Sequence, residues 1–133
     1  MRRLLPLAAA LLLVGCGSDS ASYLGDGSGT NALTIVRNKS AQWNAWQLDV
    51  VVLHQPDCQR RYALAPSNAD DPRAELYRDA EGAFLLKQGK RWYRVDQAAC
   101  GFQALTAPPA ETGERIGGFA SGENGYAFKP EAK

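Results

Sequence analysis

Ala74-Glu-Leu-Tyr-Arg-Asp-Ala-Glu-Gly-Ala-Phe-Leu-Leu-Lys-Gln-Gly-Lys-Arg-Trp-Tyr-Arg-Val-Asp96 carries the clearest structural signal in the chain. Ala74–Arg78 reads as a strand and Asp79-Ala-Glu-Gly82 as a turn. Ala83–Lys87 and Trp92–Val95 then form a hairpin around Gln88-Gly89-Lys90-Arg91. With Gly89-Lys90 as a two-residue loop, glycine supplies the positive φ that a type II′ turn requires at its first position. This register pairs Leu86 with Tyr93 and Phe84 with Val95 on an apolar face. Lys87 opposes Trp92, and Leu85 opposes Arg94, on the other. A slip of one residue would scramble both faces, so the pattern is self-consistent.

Working towards the N-terminus, Cys58-Gln-Arg-Arg-Tyr-Ala-Leu64 alternates, and residues 59–64 read as a strand closed off from the previous one by Pro56. Trp46, Leu48, Val50 and Val52 share one face of a longer strand. That strand becomes apolar on both faces near Val51, and its stiff Val run disfavours helix. Leu33–Arg37 has β-branched strand character, although residues 33–46 also admit a short helix. Towards the C-terminus, Gly101–Thr106 adds a strand. The expectation is a mainly β domain over residues 33–106, a small antiparallel sandwich or open barrel of about five to six strands. Residues 16–32 are rich in Gly and Ser and read as a flexible tether. Residues 107–133, with Pro108, Pro109 and scattered Gly, read as a mobile tail to which Phe119, Tyr126 and Phe128 offer docking groups.

The first residues carry a different signal. Met1-Arg2-Arg3 is a basic prefix and Leu4–Val14 an apolar run of about eleven residues, short of the roughly 17–25 that span a bilayer. This is the pattern of an export signal covering residues 1–15. Leu13-Val14-Gly15-Cys16 resembles the lipobox of bacterial lipoproteins. The resemblance implies a diacylglycerol on the Cys16 thiol, cleavage before Cys16 and stable anchoring by two or three acyl chains. In the sorting pattern of such lipoproteins, Gly17 and Ser18 after the cysteine imply the outer membrane, facing the periplasm.

Cysteine parity follows from that assignment. The chain has three cysteines; once lipid occupies Cys16, Cys58 and Cys100 remain, and an oxidising compartment favours their disulfide. Closing the 43 residues from 58 to 100 stabilises a small core by roughly 4 kcal/mol. No Cys-x-x-Cys and no neighbouring His point to redox or zinc chemistry.

The formal charge of +1 becomes −1 once Arg2 and Arg3 leave, and acidic residues interleave the basic ones. Such a balance argues against nucleic-acid binding. His54, at a strand end, reads as an ordinary hydrogen-bonding residue, and Asp70-Asp71 before Pro72 as a turn. Asp26-Gly27-Ser28-Gly29 lacks the acidic spacing of a calcium loop. No hydrolase, zinc-protease or nucleotide motif is present, so neither catalytic residue, metal nor cofactor is expected. Trp92, Arg94, Lys87 and Arg78, of residue types common at binding hot spots, form the expected partner surface. The expected role is that of a non-enzymatic, membrane-anchored envelope protein that binds or supports another envelope component. An inhibitor of a secreted or cell-wall hydrolase is the alternative, since small disulfide-braced β lipoproteins include such a family, though its loop motifs are missing here. A small periplasmic enzyme ranks third.

Overall fold

The computed structural model describes residues 17–25, 27, 29–41 and 43–132. The export signal, Cys16, and Asp26 and Ser28 of the calcium-like stretch lie outside the described residues. The described residues form ten strands: β1 (Gly17–Leu24), β2 (Asn31–Lys39), β3 (Gln47–His54), β4 (Cys58–Ala63), β5 (Ala74–Arg78), β6 (Phe84–Gln88), β7 (Arg91–Asp96), β8 (Gly101–Ala104), β9 (Glu114–Gly122) and β10 (Gly125–Pro130). They build two sheets, β1-β2-β3-β4 and β10-β9-β5-β6-β7-β8, antiparallel at every junction. The architecture is a β sandwich, and the described residues between 33 and 46 are strand to Lys39 with no helix after it.

The β6–β7 hairpin has the register read from its sequence, Leu86 opposite Tyr93, Phe84 opposite Val95 and Lys87 opposite Trp92, with Gly89 at φ 59°. Period two fills the interior. Leu33, Ile35, Leu48, Val50 and Val52 from the first sheet meet Leu76, Leu86, Tyr93, Val95 and Phe119 from the second.

Two expectations about the chain ends require correction. The stretch assigned to a tether forms β1 from Gly17 onward, paired residue by residue with β2. Its serines disguise a period-two pattern. Asp19, Ala21 and Tyr23 turn towards the core, where Ala21 is buried and Tyr23 packs on Phe84 and Phe128. Ser18 and Ser22 instead bond across the ladder to Asn38 and Thr34, at 2.8 and 2.7 Å. The stretch assigned to a mobile tail contributes β9 and β10, which extend the second sheet beyond β5. Phe119 is fully buried there and packs on Phe128 with ring centroids 5.0 Å apart. These additions carry the strand count above the five or six expected.

Both long sides of the sandwich are closed. Along β4 and β8 the Cys58–Cys100 disulfide joins the sheets, Cα atoms 6.1 Å apart. Tyr62 stacks on Phe102 at 4.7 Å and its hydroxyl donates to the Cys100 carbonyl. Along β1 and β10 the seam is aromatic, with Tyr23 5.0 Å from Phe128.

The two short ends differ. The end where β1 starts also carries residues 40–46, 64–73, 89–90 and 123–124. Its interior is plugged by Arg37, 3 % exposed. The guanidinium binds Asp19 at 2.7 and 2.8 Å and Asp71 at 2.6 Å, and lies 3.8 Å from the centroid of Tyr126. The opposite end, where β1, β3, β5 and β7 finish, is open.

Candidate functional site

A cleft of about 680 Å³ occupies the open end. Polar residues at the strand ends and turns of both sheets line it. The first sheet contributes Asn31 and His54, opposite each other at the ends of β2 and β3. The second contributes Arg78, Glu81, Phe84, Arg94, Asp96 and Gln97.

His54 is held from both sides. Its Nδ1 hydrogen-bonds Asn31 Oδ1, and its Nε2 lies 3.5 Å from Asp57 Oδ2. Arg94 binds Asp79 and lies 3.9 Å from Glu81 Oε2. Asp79 in turn organises the 79–83 turn, its Oδ1 accepting the N–H groups of Glu81 and Ala83 at 3.0 and 2.9 Å. Burial pushes the Asp79 carboxyl upward, but the Ala83 N–H and Arg94 outweigh it and hold the group below the usual carboxylate range. Gln97 donates to the Leu53 carbonyl at 3.1 Å, tying the β7–β8 turn to the first sheet.

Arg78 is the least constrained cation of the cleft. Its guanidinium lies 5.0 Å from the centroid of Phe84 and donates to Tyr23 Oη at 3.3 Å. No carboxylate among the described residues forms an ion pair with it. The result is a concave surface with donors and acceptors of both charges, suited to a polar ligand or to a side chain projected by a partner.

The four residues expected to form a partner face are divided: Arg78 and Arg94 both line the cleft, whereas Lys87 and Trp92 are not among its lining residues. Lys87, Trp92 and Arg94 lie on the outer face of the second sheet, whereas Arg78 lies on the inner face in line with Leu76. Trp92 is only 8 % exposed. Tyr77 packs on it at 5.5 Å, the Lys87 ammonium lies 5.5 Å from its ring centroid, and Leu105 N–H bonds its carbonyl at 2.9 Å. Tyr77 and Lys87 thus cover an indole that a hairpin read in isolation leaves open, and the segment after β8 turns back across the same face beside Leu85 and Arg94. Asp70 and Asp71 sit at the plugged end, remote from His54. Asp71 is committed to Arg37 and to Ser121, whose hydroxyl donates to it at 2.7 Å.

Of the residues the sequence points to, His54, Arg78 and Arg94 line the cleft; Asn31, Glu81, Asp96 and Gln97 line it too, with Asp57 beside His54, and carry no local signal of a site. Each is a polar residue at a strand end or turn, and only the closure of the sandwich gathers them. Among the described residues, no cluster of His, Cys, Asp and Glu has the arrangement of a metal site. The chain matches no family model, and neither the curated proteins nor the solved structures compared with it offer a match.

Proposed function

We propose that this protein is a lipid-anchored envelope lipoprotein that acts as a non-enzymatic binding module, using the cleft at the open end of the sandwich. The lipobox-like Leu13-Val14-Gly15-Cys16 supports the anchor, and Gly17-Ser18 supports the outer membrane with the domain facing the periplasm. The observation that carries the binding role is the state of the cleft's polar groups. His54 is engaged by Asn31 and borders Asp57, and Arg94 is engaged by Asp79, so these groups of the cleft are held in fixed positions by their neighbours. Preorganised donors and acceptors of this kind suit recognition of a polar ligand.

The test is crosslinking in intact cells with a photoreactive amino acid in place of Glu81, which is exposed at the cleft rim. One reproducible protein or glycan adduct, weakened by Arg78→Ala, is expected. A smear of unrelated adducts, or adducts unaffected by Arg78→Ala, would refute the cleft as the binding site. Should the adduct be a cell-wall hydrolase, the purified protein is expected to inhibit it, giving the binding role a specific purpose.

A further inference from the structure

The strand register, taken with the proposed lipid on Cys16, orients the whole molecule. Gly17 is already paired with Lys39, the last residue of β2, and consecutive Cα atoms are about 3.8 Å apart. An acylated Cys16 therefore leaves no slack between lipid and sandwich. The plugged end must lie against the membrane surface, and the loops there become its contact face. Among the described residues there, Trp43 lies four positions after Lys39, the end of β2, and is 86 % exposed. The other two tryptophans are packed, Trp46 over Arg37 and Trp92 against Tyr77.

An indole belongs energetically at the headgroup level, where its apolar body and its N–H are both accommodated. Alone, one such side chain would bind a bilayer weakly. On a chain already held by acyl groups, insertion becomes intramolecular at high effective concentration, so a weak contact suffices to fix orientation. Lys39, Lys90 and Arg91 share this end and suit anionic headgroups, against the acidic Asp70 and Glu123.

We propose that Trp43 seats the plugged end of the sandwich in the headgroup region of the bilayer. The open cleft is then held about 26 Å away, the rise of an eight-residue strand, facing outward. This orientation rests on the lipoprotein reading and explains why the anchor-side end is closed while the ligand-side end is open.

The test uses the native protein purified from membranes and reconstituted into phosphatidylcholine–phosphatidylglycerol vesicles, with or without lipids brominated near the headgroup end of their chains. Bromine is expected to quench about a third of the tryptophan emission, one residue of three, and Trp43→Phe to abolish that quenching. The mass of the N-terminal peptide from the same preparation separates the two claims. A lipidated Cys16 with no Trp43-dependent quenching overturns the seating alone, and a peptide without lipid on Cys16 overturns anchor and seating together. A photoreactive residue at position 43 distinguishes occupants: phospholipid adducts support the seating, and a discrete protein adduct overturns it in favour of a protein contact.

Discussion

Arg37 holds together more of this molecule than any other polar residue. It joins β1 through Asp19, the 64–73 loop through Asp71, and β9 through Ser121 at 3.3 Å, while stacking on Trp46 and Tyr126. Burial works against its charge, but the bonds to Asp19 and Asp71 prevail and hold the guanidinium protonated beyond its ordinary range. Arg37→Ala would leave carboxylates and rings without their cation, and is expected to cost about 3 kcal/mol in urea unfolding. Tyr126 behaves oppositely. Burial raises its hydroxyl well above the usual phenol range, and that hydroxyl has no hydrogen-bond partner among the described residues. Tyr126→Phe keeps the ring under Arg37 and removes the orphan group, so the variant is expected to be as stable as the wild type or up to about 1 kcal/mol more stable; a loss of stability would show that the hydroxyl has a partner. A pH dependence follows from the carboxylates. Asp71 and Asp79 both lie below their ordinary value of 3.8; although burial opposes this, Arg37 prevails for Asp71, and the Ala83 N–H with Arg94 for Asp79. Each binds fewer protons folded than unfolded, so its contribution is complete above the unfolded value and disappears as pH falls through the folded one. Unfolding free energy is expected to be level from pH 7 to about 5 and to decline below about 4. Asp71→Asn should be less stable at neutral pH and show a shallower acid decline.

At the scale of elements, legibility tracked how strongly each strand's two faces differ. The β6–β7 register could be read because a glycine turn fixes the pairing and leaves one face apolar, Phe84 and Leu86 against Val95 and Tyr93, while Lys87 and Arg94 fall on the other. β1 could not, because only Ala21 and Tyr23 mark its inner face, and its third inward residue, Asp19, looks like solvent-facing charge until Arg37 is placed opposite it. β9 and β10 were hidden by glycine, which is depleted in strands. Here Gly117 is needed for close packing, since a Cβ would lie 2.6 Å from Phe128 Cζ. Two measurements check this account. Hydrogen exchange is expected to protect amides of β1 well beyond those of residues 107–112, and equal exchange in both stretches would restore the tether. The segment returning from β8 to β9 is pinned at Gly113, whose φ is +70° and where a Cβ would stand 2.1 Å from the Arg78 carbonyl oxygen. Gly113→Ala is expected to destabilise by about 1–3 kcal/mol in urea unfolding.

For the whole molecule, the cleft was illegible for a topological reason. Asn31, His54, Arg78 and Asp96 come from four strands in two sheets, and no local pattern signals that their ends converge. The disulfide was legible because counting cysteines requires no geometry, and its position gives it a second consequence. Cys58 and Cys100 lie at the open end, on the seam between β4 and β8, so the crosslink borders the cleft as well as restricting the unfolded chain. The opposite seam, between β1 and β10, depends on Tyr23 and Phe128 and has no covalent link. Replacing both cysteines by alanine is therefore expected to have two separable effects. Loss of the 43-residue loop constraint costs roughly 4 kcal/mol, which for a domain of this size lowers Tm by about 15 °C and consumes much of a typical stability. Below that lowered Tm the sandwich still folds on its apolar interior, but the β4–β8 corner opens more often, so amides of β8 should exchange faster while those of β2 and β3 change only with global stability. Uniform acceleration across both sheets would mean that the crosslink acts on the unfolded state alone, and that the open end is held rigid by Tyr62, Phe102 and Tyr93 without it.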